Sequence, residues 1–375
     1  MSLESPDPSK GPAARPSISV VVPTPLEPDL IPPLLTGLGT VRERTGLDLE
    51  LLLMDDRRDG SRSIGADLGL PWVRRVTRTG EDRPGEAVLD GLRCSRRDVL
   101  VVMDPDLSHS PEAIPEMLDA LEHGADFVIG ARTVEGGSND GRWSFFPWLE
   151  RTVATLLARP LASLKDPLSG FFALRRTTFE RGRELNPIGG NVGLELLVKC
   201  GCTRAAEVPI RLSRRSLGKR KLSLKEELRY LRHLRRLYIF KYGTWAHLVQ
   251  FLAVGATGVL VNVLVLTALL AFGVGSKAAV ALAIVLSMVW NFVLNRRFSF
   301  SYARSGPVIQ QLVGFVAACS VGAVVNYFVT LWTWDAFRYK QLAAVVGVVA
   351  GTAFNFVTSR FLVFRRKHMT TEAVR

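Results

Sequence analysis

Two aspartates, Asp104 and Asp106, flank a proline where the apolar run of "VLVVMDPDLSHSP" ends. Carboxylates one residue apart can both face a single cation, and hard oxygen donors suit Mg2+ or Mn2+, ions that also coordinate phosphate oxygens. A second acidic pair, Asp55 and Asp56, closes the apolar run of "LDLELLLMDD". In an open sheet of parallel strands, ligands bind beyond the carboxyl ends, so the two pairs would meet on one edge. Such an edge can hold a metal and, with it, a diphosphate. The alternative for Asp104 is a solvated turn in which it caps the helix opening near Ser110 and Pro111.

Other chemistries lack their residues. The four cysteines, Cys94, Cys200, Cys202 and Cys319, include no CxxC pair, which argues against a zinc site or a disulfide framework and fits a reducing cytoplasm. "CGC" at 200–202 reads as a helix end. No GxGxxG turn follows a strand, which excludes the dinucleotide-binding dehydrogenase pattern. Net charge is +13, yet no nucleic-acid recognition motif accompanies it. The cations concentrate between Arg204 and Lys241, just before the first long apolar span, where they would meet anionic headgroups.

The elements that must position the acids alternate along residues 17–222. "SISVVVP" and "LDLELLLMDD" read as buried strands, and "WVRRVTR", "DVLVVMD" and "DFVIGAR" as a third, fourth and fifth strand. Helical patterns fall between them in "PDLIPPLLTGLGTVRERTG", "GEAVLDGLRCS" and "SPEAIPEMLDALEHG". This alternation predicts an α/β domain with a Rossmann-like, mainly parallel sheet covered on both faces. Residues 1–16, rich in Pro, Ser and Gly and without an apolar h-region, read as a disordered lead rather than a signal peptide.

Six segments occur in the order found in family 2 glycosyltransferases of the GT-A fold: "VVPTPLE", "DDRRDGS", "GEAVLDGL", "MDPDLSHSPE", "GARTVEGG" and "DPLSGFFALRR". Residues 17 to about 225 most resemble dolichyl or polyprenyl phosphate mannose synthases, and "DPDLSHSPE" followed by "ARTVEGG" is specific to that branch. The resemblance implies that Pro23 and Glu27 line a nucleotide pocket with Asp55, and that Asp56 belongs to the same acidic turn. It casts Asp104 and Asp106 as ligands of Mg2+ or Mn2+ and the diphosphate, with Ser108 as a further metal contact. Arg132 would face the acceptor phosphate and join the two acids in catalysis, while Asp166 and Ser169 belong to a segment that closes over the donor sugar and supports the acceptor site. In "RLSRRSLGKRKLS", Arg215, Gly218, Lys221 and Leu222 match the family's loop at the membrane surface, Arg215 and Lys221 as acceptor-phosphate ligands. Arg220 replaces a usual Ser there, "PTPLE" replaces "PTYNE", and Asn191 stands where relatives carry Lys.

The reaction so implied moves mannose from GDP-mannose to a polyprenyl or dolichyl phosphate. A divalent metal stabilises the leaving diphosphate, and a lipid phosphate is already anionic, so it needs orientation by cations more than a general base. Direct displacement inverts the anomeric centre, giving a β-linked lipid phosphate from an α-linked donor.

From His247 onward the chain changes character. Just before that change, "LSLKEELRYLRHLRRLYIFKYG" at 222–243, which sets the region 223–244, has leucines and tyrosines at helical spacing amid cations, the pattern of an amphipathic helix lying in the membrane interface. Four apolar stretches follow, near 246–272, 277–297, 308–334 and 341–363, each meeting the requirement of about 20 residues per bilayer crossing. They repeat: "FLAVGATGVLVN" at 251–262 matches "FVAACSVGAVVN" at 315–326, and "NFVLNRRFSF" at 291–300 matches "NFVTSRFLVF" at 355–364. Two helical hairpins are expected, with Asn262, Asn291, Asn326 and Asn355 bonding between helices. Residues 245–366 resemble the GtrA-like four-helix transmembrane domain, which implies anchoring near the lipid pool and assembly as a homo-oligomer. Basic "NRRFSFSYARSG" and "RFLVFRRKH" place the loops, the tail at 367–375, both termini and the soluble domain on the cytosolic side.

Two further functions compete. One keeps the fold and exchanges the donor for a UDP-sugar, making a polyprenyl phosphate glucosyl- or other hexosyltransferase; the other is a non-enzymatic glycolipid flippase or scaffold, which the intact acids oppose. A processive polysaccharide synthase would carry QxxRW, and none of the four glutamines begins that motif.

Overall fold

The computed structural model describes residues 16–23, 28–56, 69–78, 84–106, 108–132, 134, 138–139, 145–212, 224–337 and 340–365. The chain forms two compact units, Met1–Lys241 and Tyr242–Arg375.

In the first unit the strand β1 (Ile18–Val22) is buried at every residue, as an all-apolar strand must be when helices cover both faces of its sheet. The helix α1 (Ile31–Thr45) ends at Gly46, whose φ of 65° lets its N–H reach the Arg42 carbonyl at 2.9 Å. Next come β2 (Leu49–Asp56), β3 (Val73–Arg78), α2 (Pro84–Cys94), β4 (Val99–Val102), α3 (Ile114–Glu122) and β5 (Phe127–Ala131). All five strands and three helices expected from pattern are present. The strand pairs β1–β2, β1–β4 and β2–β3 are parallel.

The remaining elements are β6 (Ser138–Asn139), α4 (Phe145–Ala158), β7 (Phe172–Arg175), α5 (Arg176–Glu180), α6 (Val192–Lys199), β8 (Ala205–Pro209), β9 (Arg211–Leu212) and α7 (Leu224–Tyr242). Sheet order is β3-β2-β1-β4-β7-β5-β8, with β6 and β9 paired separately. Only β7 runs against its neighbours, pairing antiparallel with β4 and β5. At four residues it is too short to show a periodicity, but its direction matters. The segment that enters β7 is thereby delivered to the edge where β4 and β5 end.

One face of the sheet packs Ile18, Val20, Leu51 and Val101 against α1 and α3. The other packs Val21, Leu52, Leu100 and Phe172 against α2 and α6, and Leu234 and Leu237 of α7 join that cluster. The helix α7 thus belongs to the first unit. Tyr230 donates to the Ala154 carbonyl of α4 at 2.7 Å and Tyr238 to Leu157 at 2.8 Å. α4 and α7 expose Leu149, Val153, Leu156, Leu228, Leu231 and Phe240.

The second unit contains α8 (Thr244–Ala271), α9 (Ser276–Leu294), α10 (Val308–Trp332) and α11 (Lys340–Thr358). Both α9 and α11 run on into π-helical turns, Asn295–Ser299 and Ser359–Val363. Four segments, Thr244–Ala271, Ser276–Ser299, Val308–Trp332 and Val345–Val363, are long and apolar enough to cross a membrane. The repeat seen in sequence is a repeat in space. Six phenylalanines form the core of this unit, Phe251, Phe292 and Phe300 from the first hairpin and their counterparts Phe315, Phe356 and Phe364 from the second. Phe300 stacks on Phe364 at 4.9 Å, while Phe251–Phe356 at 5.6 Å mirrors Phe292–Phe315 at 5.9 Å.

The four asparagines divide in role. Asn262 donates across the hairpin to Ser287 at 3.4 Å, while Asn326 accepts from Thr330 of its own helix. Asn291 and Asn355 lie against Gly258 and Gly322, where any Cβ would collide with their amides. Their Oδ1 atoms are buried without a hydrogen bond, so close helix approach is what these two asparagines record. Gly322→Ala is expected to lower stability by about 1–3 kcal/mol through overpacking. Gly255→Ala, whose Cβ meets open space, should leave the melting temperature in detergent unchanged. Equal melting curves for both variants would contradict the packing argument.

Candidate active site

The site begins where β4 stops. The Met103 N–H continues the strand pairing by donating to the Val21 carbonyl at 3.2 Å, and Asp104 follows at the rim, its side chain half exposed. The chain then turns sharply: the Asp106 carboxylate accepts the Ser108 N–H at 2.9 Å, which ties the second acid into the turn. Ser108 and His109 are buried beneath it. The His109 ring stacks on Phe171 with centroids 5.4 Å apart, and its Nδ1 lies 3.3 Å from the Ser108 hydroxyl and 3.8 Å from Asp104 Oδ2. Burial lowers the imidazole pKa against the pull of Asp104. The neutral ring therefore supports the acidic turn without adding a cation to it.

The antiparallel course of β7 brings residues 166–171 onto the same rim. Gly170 packs so closely on Asp104 that a Cβ there would stand 3.2 Å from Oδ2. Ser169 is buried, and its hydroxyl accepts the Phe171 N–H at 3.3 Å. Gly130 of β5 donates to the Phe171 carbonyl at 2.8 Å, which fixes the end of β5 and hence Arg132 beside the same segment.

Arg132 and Asp166 meet directly. The Asp166 carboxylate, wholly shielded from solvent, accepts from Arg132 N–H at 3.3 Å, Nε at 3.0 Å and Nη2 at 3.4 Å. A second guanidinium arrives from α4: Arg151 Nη2 donates to Oδ1 at 2.8 Å and Oδ2 at 2.9 Å. Burial by itself would raise the Asp166 pKa, but the hydrogen bonds and charge of Arg132, with the charge of Arg151, outweigh it and hold the carboxyl below its ordinary value. Two cations on one buried anion leave a local excess of positive charge beside the acidic turn. That arrangement suits an incoming anion with several acceptor oxygens.

At the other acidic pair, Asp55 is buried and joined to Arg75 of β3 by an ion pair. The main chain of Asp56 closes β2, and Pro23, half buried, follows β1 on the same edge. The Asp56 side chain lies outside the described residues, as do Glu27, Arg215 and Lys221. Arg151, His109 and Arg75 were not indicated by pattern. Arg151 is one basic residue in an apolar helix, 15 positions from its partner, and only the fold pairs them.

Among the described residues no group of three or more His, Cys, Asp and Glu side chains could cage a metal. The oxygen set of Asp104 and Asp106 instead fits an ion such as Mg2+ or Mn2+, which is bound through one or two carboxylates and completes its shell with waters and substrate phosphates.

The glycosyl transferase family 2 pattern matches residues 19–183, and that of the GtrA/DPMS transmembrane domain matches 250–364. A dolichol-phosphate mannosyltransferase of Pyrococcus furiosus is 34% identical over 349 residues, spanning 92% of this chain and 98% of that protein. The chain belongs to the dolichol-phosphate mannosyltransferase family. It is a glycosyltransferase of GT-A fold joined to a GtrA-like membrane domain. The dolichol-phosphate mannosyltransferase of Mycosarcoma maydis is 37% identical, covering 62% of this chain and 82% of its own. An undecaprenyl-phosphate mannosyltransferase of Micrococcus luteus is 32% identical, covering 55% and 87%. In this member of the mannosyltransferase family the first unit carries the acids and guanidiniums described above, and the second carries the candidate spans.

Proposed function

We propose that this chain transfers mannose from GDP-mannose to a polyprenyl phosphate at the cytosolic face of a membrane, with inversion at the anomeric carbon. The observation that carries the reading is the meeting of Arg132 and Arg151 on Asp166, next to the Asp104–Asp106 turn. The family relatives, which act on dolichol or undecaprenyl phosphate by name, support the acceptor class.

Asp104 and Asp106 would hold the divalent ion, which when bound supplies Lewis-acid stabilisation of the leaving diphosphate. Asp55 and Pro23, with Glu27 and Asp56, are assigned to the nucleotide. Arg132 and Arg151 are assigned to the acceptor phosphate, with Ser169, Arg215 and Lys221 completing that side. Their guanidiniums offset the repulsion between two polyanions and orient the attacking oxygen. Asp166 then acts chiefly by holding both forks in place, a role on the acceptor side rather than at the donor sugar. The phosphate nucleophile is already deprotonated, so none of these side chains need remove a proton.

The basic turns after α9 and α11, with Arg296, Arg297 and Arg360, support a cytosolic placement of both termini. The apolar surface of α4 and α7 suits contact with the bilayer that holds the acceptor. Purified protein given GDP-mannose, undecaprenyl phosphate and Mn2+ is expected to yield a β-linked mannosyl phosphate lipid. An α-linked product would overturn the displacement, and turnover with UDP-glucose in place of GDP-mannose would overturn the donor.

A further inference from the structure

The segment that carries Asp166 runs from the end of α4 to the start of β7 outside any helix or strand. Its apolar residues Leu161, Ala162 and Leu164 are sunk in the core, which holds its first half. At its turn into the site, two consecutive backbone donors converge on one atom. Lys165 N–H and Asp166 N–H both bond to Glu207 Oε1, at 2.8 and 2.9 Å. Glu207 stands on β8, in register with Ile129 of β5, and β8 continues beside β5 until the Ile210 N–H bonds to the Ala131 carbonyl at 3.0 Å. The strand that leads into Arg132 is thus the direct neighbour of the strand that anchors Asp166.

We infer that Glu207 is a positioning residue for the acceptor phosphate, acting through the backbone of Asp166 on the guanidiniums of Arg132 and Arg151. The inference rests on the acceptor-site reading given above. Asp166 is held from two sides, its carboxylate by the two arginines and its peptide by Glu207. Releasing the peptide lets the carboxylate shift, and both forks shift with it because their shared anchor has moved. Orientation of the nucleophile is sensitive to displacements of this kind. Glu207 itself touches none of Asp104, Asp106 or Asp55 in the hydrogen bonds and ion pairs it makes, so the donor side should be spared.

Both bonds end on a single oxygen, and this separates an acceptor role from a charge role. Glu207→Gln keeps a side-chain carbonyl oxygen at the same reach and loses the charge. Glu207→Asp keeps the charge and withdraws the oxygen by one methylene. Both are small changes at a partly exposed site and should fold, which melting curves and retained binding of GDP with Mn2+ would verify. The E207D enzyme is expected to show an acceptor KM for undecaprenyl phosphate raised about tenfold, the effect of weakening two backbone hydrogen bonds to a carboxylate, with the GDP-mannose KM changed less than about twofold. The E207Q enzyme should stay close to wild type in both. The reverse order, with E207D normal and E207Q impaired, would overturn the inference, and so would a parallel rise of both KM values. Arg132→Ala is measured alongside. If it raises the acceptor KM while E207D does not, the positioning role alone fails; if Arg132→Ala leaves that KM unchanged, the acceptor-site reading fails and takes the inference with it.

Discussion

Asparagine in place of either Asp104 or Asp106 is expected to reduce mannosyl transfer by about a hundredfold, the loss typical of removing one charge-stabilising group from a transition state. Asparagine keeps the volume and one acceptor oxygen but removes the charge that a hard divalent ion requires. Among the described residues, neither side chain next to the turn supplies a replacement charge. The neighbouring His109 is buried and neutral, and the Ser108 hydroxyl faces its Nδ1 at 3.3 Å. Replacing both acids should abolish measurable turnover. Binding of Mn2+ in the presence of GDP, followed by paramagnetic resonance, gives a readout separate from activity and should weaken in step with the rate. Wild-type turnover in the doubly substituted protein would remove the metal from the reaction and leave the acidic turn as a solvated loop.

The second large effect is expected at the paired guanidiniums. Arg132→Ala should lower kcat/KM for the lipid phosphate by about a hundredfold or more, because a charge-assisted contact is lost in the transition state and a buried carboxylate keeps only one of its two guanidinium partners. Arg151→Ala should act in the same direction. Their combination should fall short of the product of the single effects, since both hold the same carboxylate and groups that share a partner are not additive. Lysine at either position keeps the charge but forfeits the planar fork that reaches Asp166, and should recover only part of the loss. Because the guanidiniums hold the Asp166 carboxyl below its ordinary value, the arginines remain clamped through mild acidification. A double substitution with multiplicative effects would mean that the two cations serve separate sites.

Much of the architecture is local in origin and could be read before folding. β1, β4 and β5 are short apolar runs buried at every residue, a pattern that survives without knowledge of neighbours because helices cover both faces of the sheet, whereas the edge strand β3, with three arginines, is only partly buried. The four spans are legible because a bilayer demands about 20 apolar residues whatever the tertiary fold. Their internal repeat reappears as the paired phenylalanines and the Gly–Asn contacts. The short strand β7 and the helix α4 were not legible. The first has too few residues for a period.

Pattern therefore determined the acids at the strand ends, since a strand's end is a property of the strand itself. Which cations and supports surround them was decided by the antiparallel insertion of β7 between β4 and β5, which carries Asp166 and Gly170 to Asp104, Arg132 and Arg151. The same insertion places the Lys165 and Asp166 peptides over Glu207 of β8. These residues lie 15 to 66 positions from their partners, the extremes being Asp166 from Arg151 and Gly170 from Asp104. No periodicity spans such distances, because the burial that drives pairing is gained only when the whole sheet has formed.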